Sequence, residues 1–260
     1  MSIVHCLVPA ALFLVPSSLA AQDLATRVER VDSGAAVFEF TARPGICGDG
    51  EGMISDRSHG MMRSRSGRMK PCNEGPVRVE IDVRQGRAAD LDISVGGSRI
   101  QNSNETDLGY VPVGEAVDYL LDLAETAGGD PGTDAIFAAT LADSVMPWPR
   151  LFKIAKNHDI ESDTRRAALF WLSQGAGDAA TEGLADVAGD ESQDDDIRSH
   201  AIFALSQVED PRAITALIGL AKTSQSSEVR RKALFWLGQS DDPRVPGLFM
   251  ELIGSRAVGQ

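Results

Sequence analysis

Three stretches in the second half of the chain are near-copies of one another. They are residues 164–174 (TRRAALFWLSQ), 197–207 (IRSHAIFALSQ) and 229–239 (VRRKALFWLGQ), which recur at steps of 33 and 32 residues. A unit that repeats at this period cannot bury its apolar face alone, so neighbouring units must stack to build a shared core. The repeat therefore predicts a stacked array for this half of the chain.

Each copy carries an apolar stripe at helical spacing. The stripe residues are Ala168, Leu169 and Leu172, then Ala201, Ile202 and Leu205, then Ala233, Leu234 and Leu237. Asp-Pro pairs at 210–211 and 242–243 follow two of the copies, and proline suits the first turn of a helix, where its missing N–H is no loss. The unit is therefore predicted to be helix–turn–helix. A degraded copy from Asp134 into 149–156 brings the expected number of units to about four.

The pattern Arg-x-x-Ala-Leu-Phe-x-Leu, then Asp-Pro, then a short Leu-rich helix resembles HEAT repeats of the phycobilisome-lyase type. The resemblance covers roughly residues 113–253 and implies an α-solenoid of helix pairs. It also implies a surface for a protein partner, because HEAT units mostly present surfaces. Bilin lyases and iron-dependent hydroxylases share this repeat type, so an enzyme or cofactor handler is the alternative function.

Residues 1–20 have the pattern of a secretory signal peptide. An apolar run at 7–15 leads to Ser18-Leu19-Ala20, a small-residue cleavage site. The start of this segment lacks Lys and Arg, which a typical leader contains, and a buried N-terminal helix is the alternative interpretation. The sequence therefore predicts an exported protein, periplasmic or extracellular. No other segment is long and apolar enough to be predicted as a membrane span.

Two cysteines, Cys47 and Cys72, remain once the leader is removed. In an exported chain two cysteines are most simply a disulfide, whereas a cytosolic chain would keep two free thiols. Closing the 25-residue interval between them would stabilise the fold by roughly 3 kcal/mol in the chain-entropy model.

The segments around these cysteines alternate between apolar and polar residues, as half-buried strands do. The alternation is present at 36–42, 77–83 and 91–95, whereas 102–106 is polar and is predicted to be a linker. The expected fold class is α+β, a small disulfide-linked antiparallel β unit followed by an α-solenoid. The predicted boundaries are 1–20 for the leader, 21–105 for the β unit and 106–260 for the solenoid.

The charge imbalance is confined to the helical half. Residues 106–260 contain 13 basic and 25 acidic side chains, a net charge of −12 out of −13 for the whole chain. An acidic surface repels phosphates, so we expect neither nucleic acid nor an anionic membrane as a partner. A basic island between the two cysteines consists of Arg57, His59, Arg63, Arg65, Arg68 and Lys70. It could bind an acidic partner, fold back on the helical half or remain a solvated loop.

We find no set of residues that matches a catalytic or metal-binding motif. Iron-dependent HEAT-type hydroxylases carry several His-Glu pairs, and this sequence contains none. The histidines after the leader are His59, His158 and His200, and a structural role is favoured for His200 on its predicted helix. There is no Gly-x-Ser-x-Gly, phosphate-loop or His-Glu-x-x-His motif. We therefore expect no catalytic residue, no cofactor and no metal site.

An arginine recurs in the first turn of each repeat, as Arg165, Arg198 and Arg230. Acidic residues lie two positions earlier and in the repeat turns, and they are Asp163, Asp196, Glu228, Asp178, Asp210 and Asp242. These charges predict an Arg–carboxylate ladder between neighbouring units.

Glutamine and tryptophan also recur in register. Gln174, Gln207 and Gln239 close the three copies and are predicted to cap helix ends or to tie adjacent turns. Trp171 and Trp236 occupy equivalent positions. We interpret them as packing between units, with a surface for a cation or a sugar as the alternative.

The function predicted from these features is a non-enzymatic, exported protein-interaction scaffold. In stacks of this type the second helices are expected to present the partner face. Its candidate residues are Lys153, Lys156, Arg212, Lys222 and Arg244, together with Glu182, Asp186 and Glu251. Because this face mixes charges of both signs, a charged protein segment suits it better than a nucleic acid.

Overall fold

A computed structural model describes residues 23–56, 72–96, 104–175 and 178–257. The predicted leader at 1–20 and the basic island at 57–70 lie outside the described residues. Within them, a short helix α1 (Leu24–Glu29) and two small sheets precede the helical half.

The β unit consists of a four-stranded sheet and a two-stranded ribbon. Its strands are β1 (Ser33–Phe40), β2 (Ile46–Gly48), β3 (Ile54–Asp56), β4 (Val77–Arg84), β5 (Arg87–Val95) and β6 (Glu105–Tyr110). The larger sheet has the order β5-β4-β1-β6, and β4 is antiparallel to both of its neighbours. β2 and β3 form the antiparallel ribbon. The predicted small antiparallel unit is confirmed, except that β1 and β6 run parallel.

Strand β6 begins inside the segment that the sequence predicted to be a linker. Glu105 and Thr106 pair with Ala35 and Ala36 of β1, and the strand continues to Tyr110, across the predicted boundary at 105/106. The linker prediction is therefore wrong for these two residues. Their polarity misled it, because an edge strand such as β6 carries exposed side chains at most of its positions.

The disulfide joins the ribbon to the segment that leads into β4. Cys47 of β2 is fully buried, and the Cα atoms of Cys47 and Cys72 are 5.2 Å apart, with their sulfur atoms at bonding distance. Next to them, Gly48 and Asn73 exchange two backbone hydrogen bonds of 3.0 and 2.8 Å. Gly48 also lies so close to the carbonyl oxygen of Val95 that a Cβ would collide with it. The ribbon is therefore held against β5 by backbone contact as well as by the disulfide.

Nine helices follow in the described residues. They are α2 (Val113–Thr126), α3 (Gly129–Thr140), α4 (Trp148–Lys156), α5 (Ser162–Gly175), α6 (Asp178–Gly189), α7 (Asp195–Ser206), α8 (Pro211–Thr223), α9 (Ser227–Leu237) and α10 (Val245–Ala257). From α3 onward they form four helix–turn–helix pairs, as the sequence predicted. Helices α3, α5, α7 and α9 pack in succession and are called the first-helix layer below. Helices α4, α6, α8 and α10 are called the second-helix layer.

The β unit and the helices share one hydrophobic core. Alternate residues of β4 from Val77 to Val83 are buried, which is the outcome expected from their period of two. Phe38 of β1 lies in this core, with its ring 6.1 Å from the ring of Tyr119 on α2 in an edge-to-face arrangement. Helix α2 packs in turn on α3 and so joins the sheet to the first repeat.

The Asp-Pro turns start the second helices in two different ways. Asp210 is the N-cap of α8, where its side chain accepts a hydrogen bond from the backbone N–H of Arg212, and Pro211 occupies the first turn as predicted. In the last repeat, helix α10 begins at Val245, two residues after Pro243.

Candidate binding surfaces

The first recurring arginine is buried and closes the end of the preceding helix. Arg165 is 2 % exposed, and its Nε donates to the carbonyl oxygen of Ala155 in the last turn of α4 at 3.2 Å. Its Nη2 donates to Oε1 of Gln193, and its Nη1 lies 3.4 Å from Oδ2 of Asp194. The guanidinium thus connects α5 to the end of α4 and to the turn before α7, because Gln193 and Asp194 precede α7.

Arg198 and Arg230 repeat this arrangement. Nε of Arg198 donates to the carbonyl oxygen of Ala188 in α6 at 3.1 Å, and its Nη1 lies 3.3 Å from Oδ1 of Asp195. Nη1 of Arg230 donates to the carbonyl oxygen of Ser224, which follows α8, at 2.6 Å. The last carbonyl groups of a helix have no partner within the helix and carry partial negative charge, so a guanidinium there is stabilising.

The carboxylate partners predicted for the ladder are wrong where the structure describes them. They pair with other arginines: Asp163 and Asp196 with Arg166, Glu228 with Arg231, Asp210 with Arg212, and Asp242 with Arg244. The side chain of Asp178 is outside the described part. Residues two positions apart on a helix point in nearly opposite directions, so the acid two residues before each arginine cannot face it.

The recurring glutamines are exposed at helix ends. Nε2 of Gln174 and of Gln207 donates to the hydroxyl of the preceding serine, at 3.2 and 3.1 Å. Gln207 is the C-cap of α7 through its backbone N–H. For Gln239 it is again the backbone N–H that bonds a helix carbonyl, that of Trp236. The predicted capping therefore involves the backbone of these residues.

Aromatic rings connect neighbouring units along the first-helix layer. The ring of Trp171 stacks on Phe137 of the preceding unit with centroids 5.1 Å apart, and Trp236 lies 5.1 Å from Phe203 of its preceding unit. These contacts confirm the packing interpretation. This row of aromatic side chains is partly exposed to solvent, since Phe170 is 41 % and Phe235 is 54 % exposed.

The predicted partner face lies on the second-helix layer, and ion pairs join its helices. Lys156 lies 3.8 Å from Asp186 of α6, and Nζ of Lys222 lies 2.7 Å from Glu251 of α10. Lys153 is exposed on α4.

The two arginines of this face bind their own turns. Arg212 pairs with Asp210 at 2.7 Å, and Arg244 pairs with Asp242 at 2.8 Å. Arg244 also donates to the hydroxyl of Thr215 at 2.8 Å and so connects the turn before α10 to α8. Arg244 therefore has a structural role, which the sequence did not indicate.

Hydrogen bonds from these arginines hold the pKa of Asp210 and of Asp242 at about 2. Because both values are lowered from 3.8, these carboxylates stabilise the fold above pH 4, and this stabilisation is lost as the pH falls toward 2.

We expect the free energy of unfolding of the native chain to decrease as the pH falls from 4 to 2. The decrease should be smaller in the double variant Asp210→Asn, Asp242→Asn, since the amide oxygen of asparagine can still accept the hydrogen bond from the backbone N–H two residues later, without the charge. Urea unfolding at pH 4, 3 and 2 measures it, and equal decreases in both proteins would contradict the assignment.

Neither of the two described histidines belongs to a cluster of side chains that could bind a metal ion. Nδ1 of His200 lies 3.0 Å from the backbone oxygen of Asp196 on the same helix, and His158 is exposed in the turn after α4. His59 is outside the described residues. In the described ranges, no three His, Cys, Asp or Glu side chains come together as a metal ion would require. Nor does any helix in those ranges combine the length and apolar character needed to cross a bilayer.

The family model for HEAT repeats matches residues 148–238, from the start of α4 to the end of α9. This segment is similar to HEAT repeats. A comparison with curated proteins finds none that matches the chain. The HEAT match covers the units with the buried arginines, whereas the β unit and helices α2 and α3 precede it.

Proposed function

We propose that this chain is an exported, non-enzymatic scaffold that binds another protein through its HEAT array. The observation that carries the proposal is the two-layered HEAT segment, because HEAT repeats commonly mediate protein interactions. Their helix pairs hold side chains in fixed register on an extended surface, which suits recognition of a partner segment.

The second-helix layer is the proposed partner face. Its exposed lysines on α4 and α8 alternate with the acidic residues Asp186 and Glu251 on the neighbouring helices. Such a mixed surface favours a partner segment that carries charges of both signs, and the net charge of −12 in residues 106–260 disfavours nucleic acid.

Two features support export. Residues 1–20 have the pattern of a cleaved leader, and the paired cysteines suit an oxidising compartment, where disulfides persist. If the protein is exported, its mature form begins after Ala20, and the mass of the native protein tests this directly. Retention of residues 1–20 in the native protein would contradict export by this leader.

Charge reversal on α4 tests the partner face. Lys153 and Lys156 are exposed and at most weakly paired, whereas Arg212 and Arg244 hold their own turns, so the lysines are the better targets. The double variant Lys153→Glu, Lys156→Glu should reduce partner capture from native envelope extract about tenfold. Cross-linking followed by quantitative mass spectrometry measures it.

The matched control makes the same change of charge on the β unit. Arg84 and Arg87 are exposed at the β4–β5 turn, and Arg84→Glu, Arg87→Glu should leave capture unchanged. Thermal unfolding shows whether both variants remain folded. Undiminished capture by the folded lysine variant would reject the second-helix layer and direct attention to the basic island at 57–70.

Metal analysis and an absorption spectrum of the purified native protein test the non-enzymatic part of the proposal. Stoichiometric iron or a bound chromophore would replace the scaffold with the alternative of an enzyme or cofactor handler.

A further inference from the structure

The first-helix layer contains a cavity between α7 and α9 that the scaffold function does not use. Its volume is about 240 Å³ and it is open to solvent. Asp196, Ser199, His200 and Phe203 line it from α7, and Glu228, Lys232 and Trp236 line it from α9. The cavity has two carboxylates near one end and two aromatic rings near the other.

In the preceding groove of the first-helix layer, between α5 and α7, an arginine side chain occupies the position that corresponds to the cavity. Between α5 and α7, Arg166 bridges Asp163 of its own helix and Asp196 of the next helix. Thirty-three residues later the arginine is replaced by Ser199, while the flanking acids are kept as Asp196 and Glu228. The cavity between α7 and α9 therefore occupies the position of an arginine side chain that this repeat lacks.

Ser199 provides an independent indication that the cavity receives a polar group. Its side chain is 8 % exposed, it lines the cavity, and its hydroxyl has no hydrogen-bond partner among the described residues. A buried hydroxyl without a partner costs free energy that a bound donor would recover.

The aromatic end of the cavity suits the planar guanidinium group and its apolar stem. The rings of Phe203 and Trp236 are 5.1 Å apart at an angle of 45° and form the wall next to Ser199. Guanidinium groups stack on aromatic faces and pair with carboxylates through two parallel hydrogen bonds, which a lysine ammonium cannot do. The combination of rings and carboxylates therefore favours arginine over lysine.

We propose that this cavity binds the side chain of an arginine from a protein partner. The guanidinium lies between Asp196 and Glu228, the position that corresponds to Arg166 in the preceding groove, and donates to the hydroxyl of Ser199. Its stem packs on Trp236. Asp196 and Glu228 can accept it while remaining paired with Arg166 and Arg231, because a carboxylate has about four acceptor sites.

Lys232 does not exclude this ligand. It occupies the register position that His200 occupies in the preceding groove, where His200 lies 3.5 Å from Asp196 beside the bound Arg166. Lys232 lines the cavity one helical turn after Glu228 and one turn before Trp236, and its half-buried, flexible side chain turns aside when the arginine enters. An acidic ligand would have to approach Asp196 and Glu228, which repel it.

The test uses an NMR titration of the ¹⁵N-labelled full-length protein with the capped peptide acetyl-glycyl-arginyl-glycinamide. We expect saturable shifts of the Trp236 indole and the Ser199 amide, with a Kd on the order of 1 mM. The indole of Trp171, in an equivalent position on α5, is the internal control and should not shift. The citrulline analogue, which has the same shape without the charge, should bind about tenfold more weakly or not at all.

Two variants complete the experiment. Ser199→Arg supplies the missing side chain from the protein itself and should abolish peptide binding without loss of stability, as Arg166 does in its own groove. Glu228→Gln keeps the shape and should weaken binding about tenfold. No saturable shift up to about ten times the expected Kd would overturn the proposal, as would equal binding of the citrulline peptide or undiminished binding to Ser199→Arg. The cavity lies in the first-helix layer and is separate from the second-helix layer. Peptide binding to the cavity can therefore fail while the partner face proposed above is correct, and the reverse also holds.

Discussion

Replacing Arg165 with alanine is expected to lower the free energy of unfolding by about 3 kcal/mol. The side chain is almost fully buried, and its loss leaves the carbonyl oxygen of Ala155 and the amide of Gln193 without this donor. Two consecutive repeats are held together by this group. The substitution should therefore act on the cooperativity of the array as well as on its midpoint of unfolding.

The other recurring arginines predict a graded series. Arg198→Ala should lower the free energy of unfolding by about 2 kcal/mol. Arg198 donates to the carbonyl oxygen of Ala188 at 3.1 Å, whereas its hydrogen bonds to Asp195 and Ser224 are longer, at 3.3 Å. Arg230→Ala should cost about 1 kcal/mol, because Arg230 is more exposed and bonds only carbonyl oxygens near its own helix in the described part.

Urea unfolding monitored by circular dichroism measures the series, with Arg166→Ala as the control. Arg166 is partly exposed and pairs with surface carboxylates, so its loss should cost less than about 1 kcal/mol. Equal costs for the three substitutions would contradict the graded series. If Arg165→Ala costs no more than the control, helix-end capping by this arginine does not stabilise the fold.

Loss of the disulfide is expected to have an effect of similar size. The double variant Cys47→Ser, Cys72→Ser should lower the free energy of unfolding by roughly 3 kcal/mol, because the bond closes an interval of 25 residues and restricts the unfolded chain. Cys47 is fully buried beside Gly48, so the hydroxyl that replaces its sulfur adds a desolvation cost. Chemical reduction of the native chain provides the comparison without that substitution and should give a smaller loss.

Mass spectrometry of the native protein gives the chemical check. We expect a mass two hydrogens below that of the reduced chain, and no labelling of Cys47 or Cys72 by a thiol reagent before reduction. Labelling of both cysteines in the unreduced native protein would show that the bond does not form, and it would also remove one of the two supports for export.

The positions of the recurring aromatic and arginine residues show how much of the helical array could be predicted from the sequence repeat. The period of 33 and 32 residues was enough to predict helix pairs, because the apolar stripe of each copy has to be buried against the next. The same register aligned Trp171 with Trp236, and hence their contacts with the phenylalanines of the preceding unit. Ser199 was equally visible as a departure from Arg166 in this alignment, and the sequence interpretation missed it.

The partners of the recurring arginines could not be predicted in this way. Nearness in sequence suggested the acids two residues earlier, but helical geometry turns those acids away from the arginine. A long guanidinium side chain can reach several groups at the end of the preceding helix, and only the packing of one helix on another decides which of them it meets. The acids that do contact Arg165 and Arg198, Asp194 and Asp195, lie in a run of three aspartates that looks uniform in sequence.

The sequence by itself determined the stacked helix pairs, the alternating strands β4 and β5, and the pairing of the two cysteines, because local periodicity and the small number of cysteines leave few arrangements. Only the tertiary structure decided that the polar segment from Glu105 becomes a strand parallel to β1, and that the α7–α9 groove is left open. Both depend on contacts between residues distant in the chain. An edge strand is stabilised by backbone hydrogen bonds to its neighbour, and a cavity is defined by side chains from two helices. Neither feature produces a pattern within a single segment of the sequence.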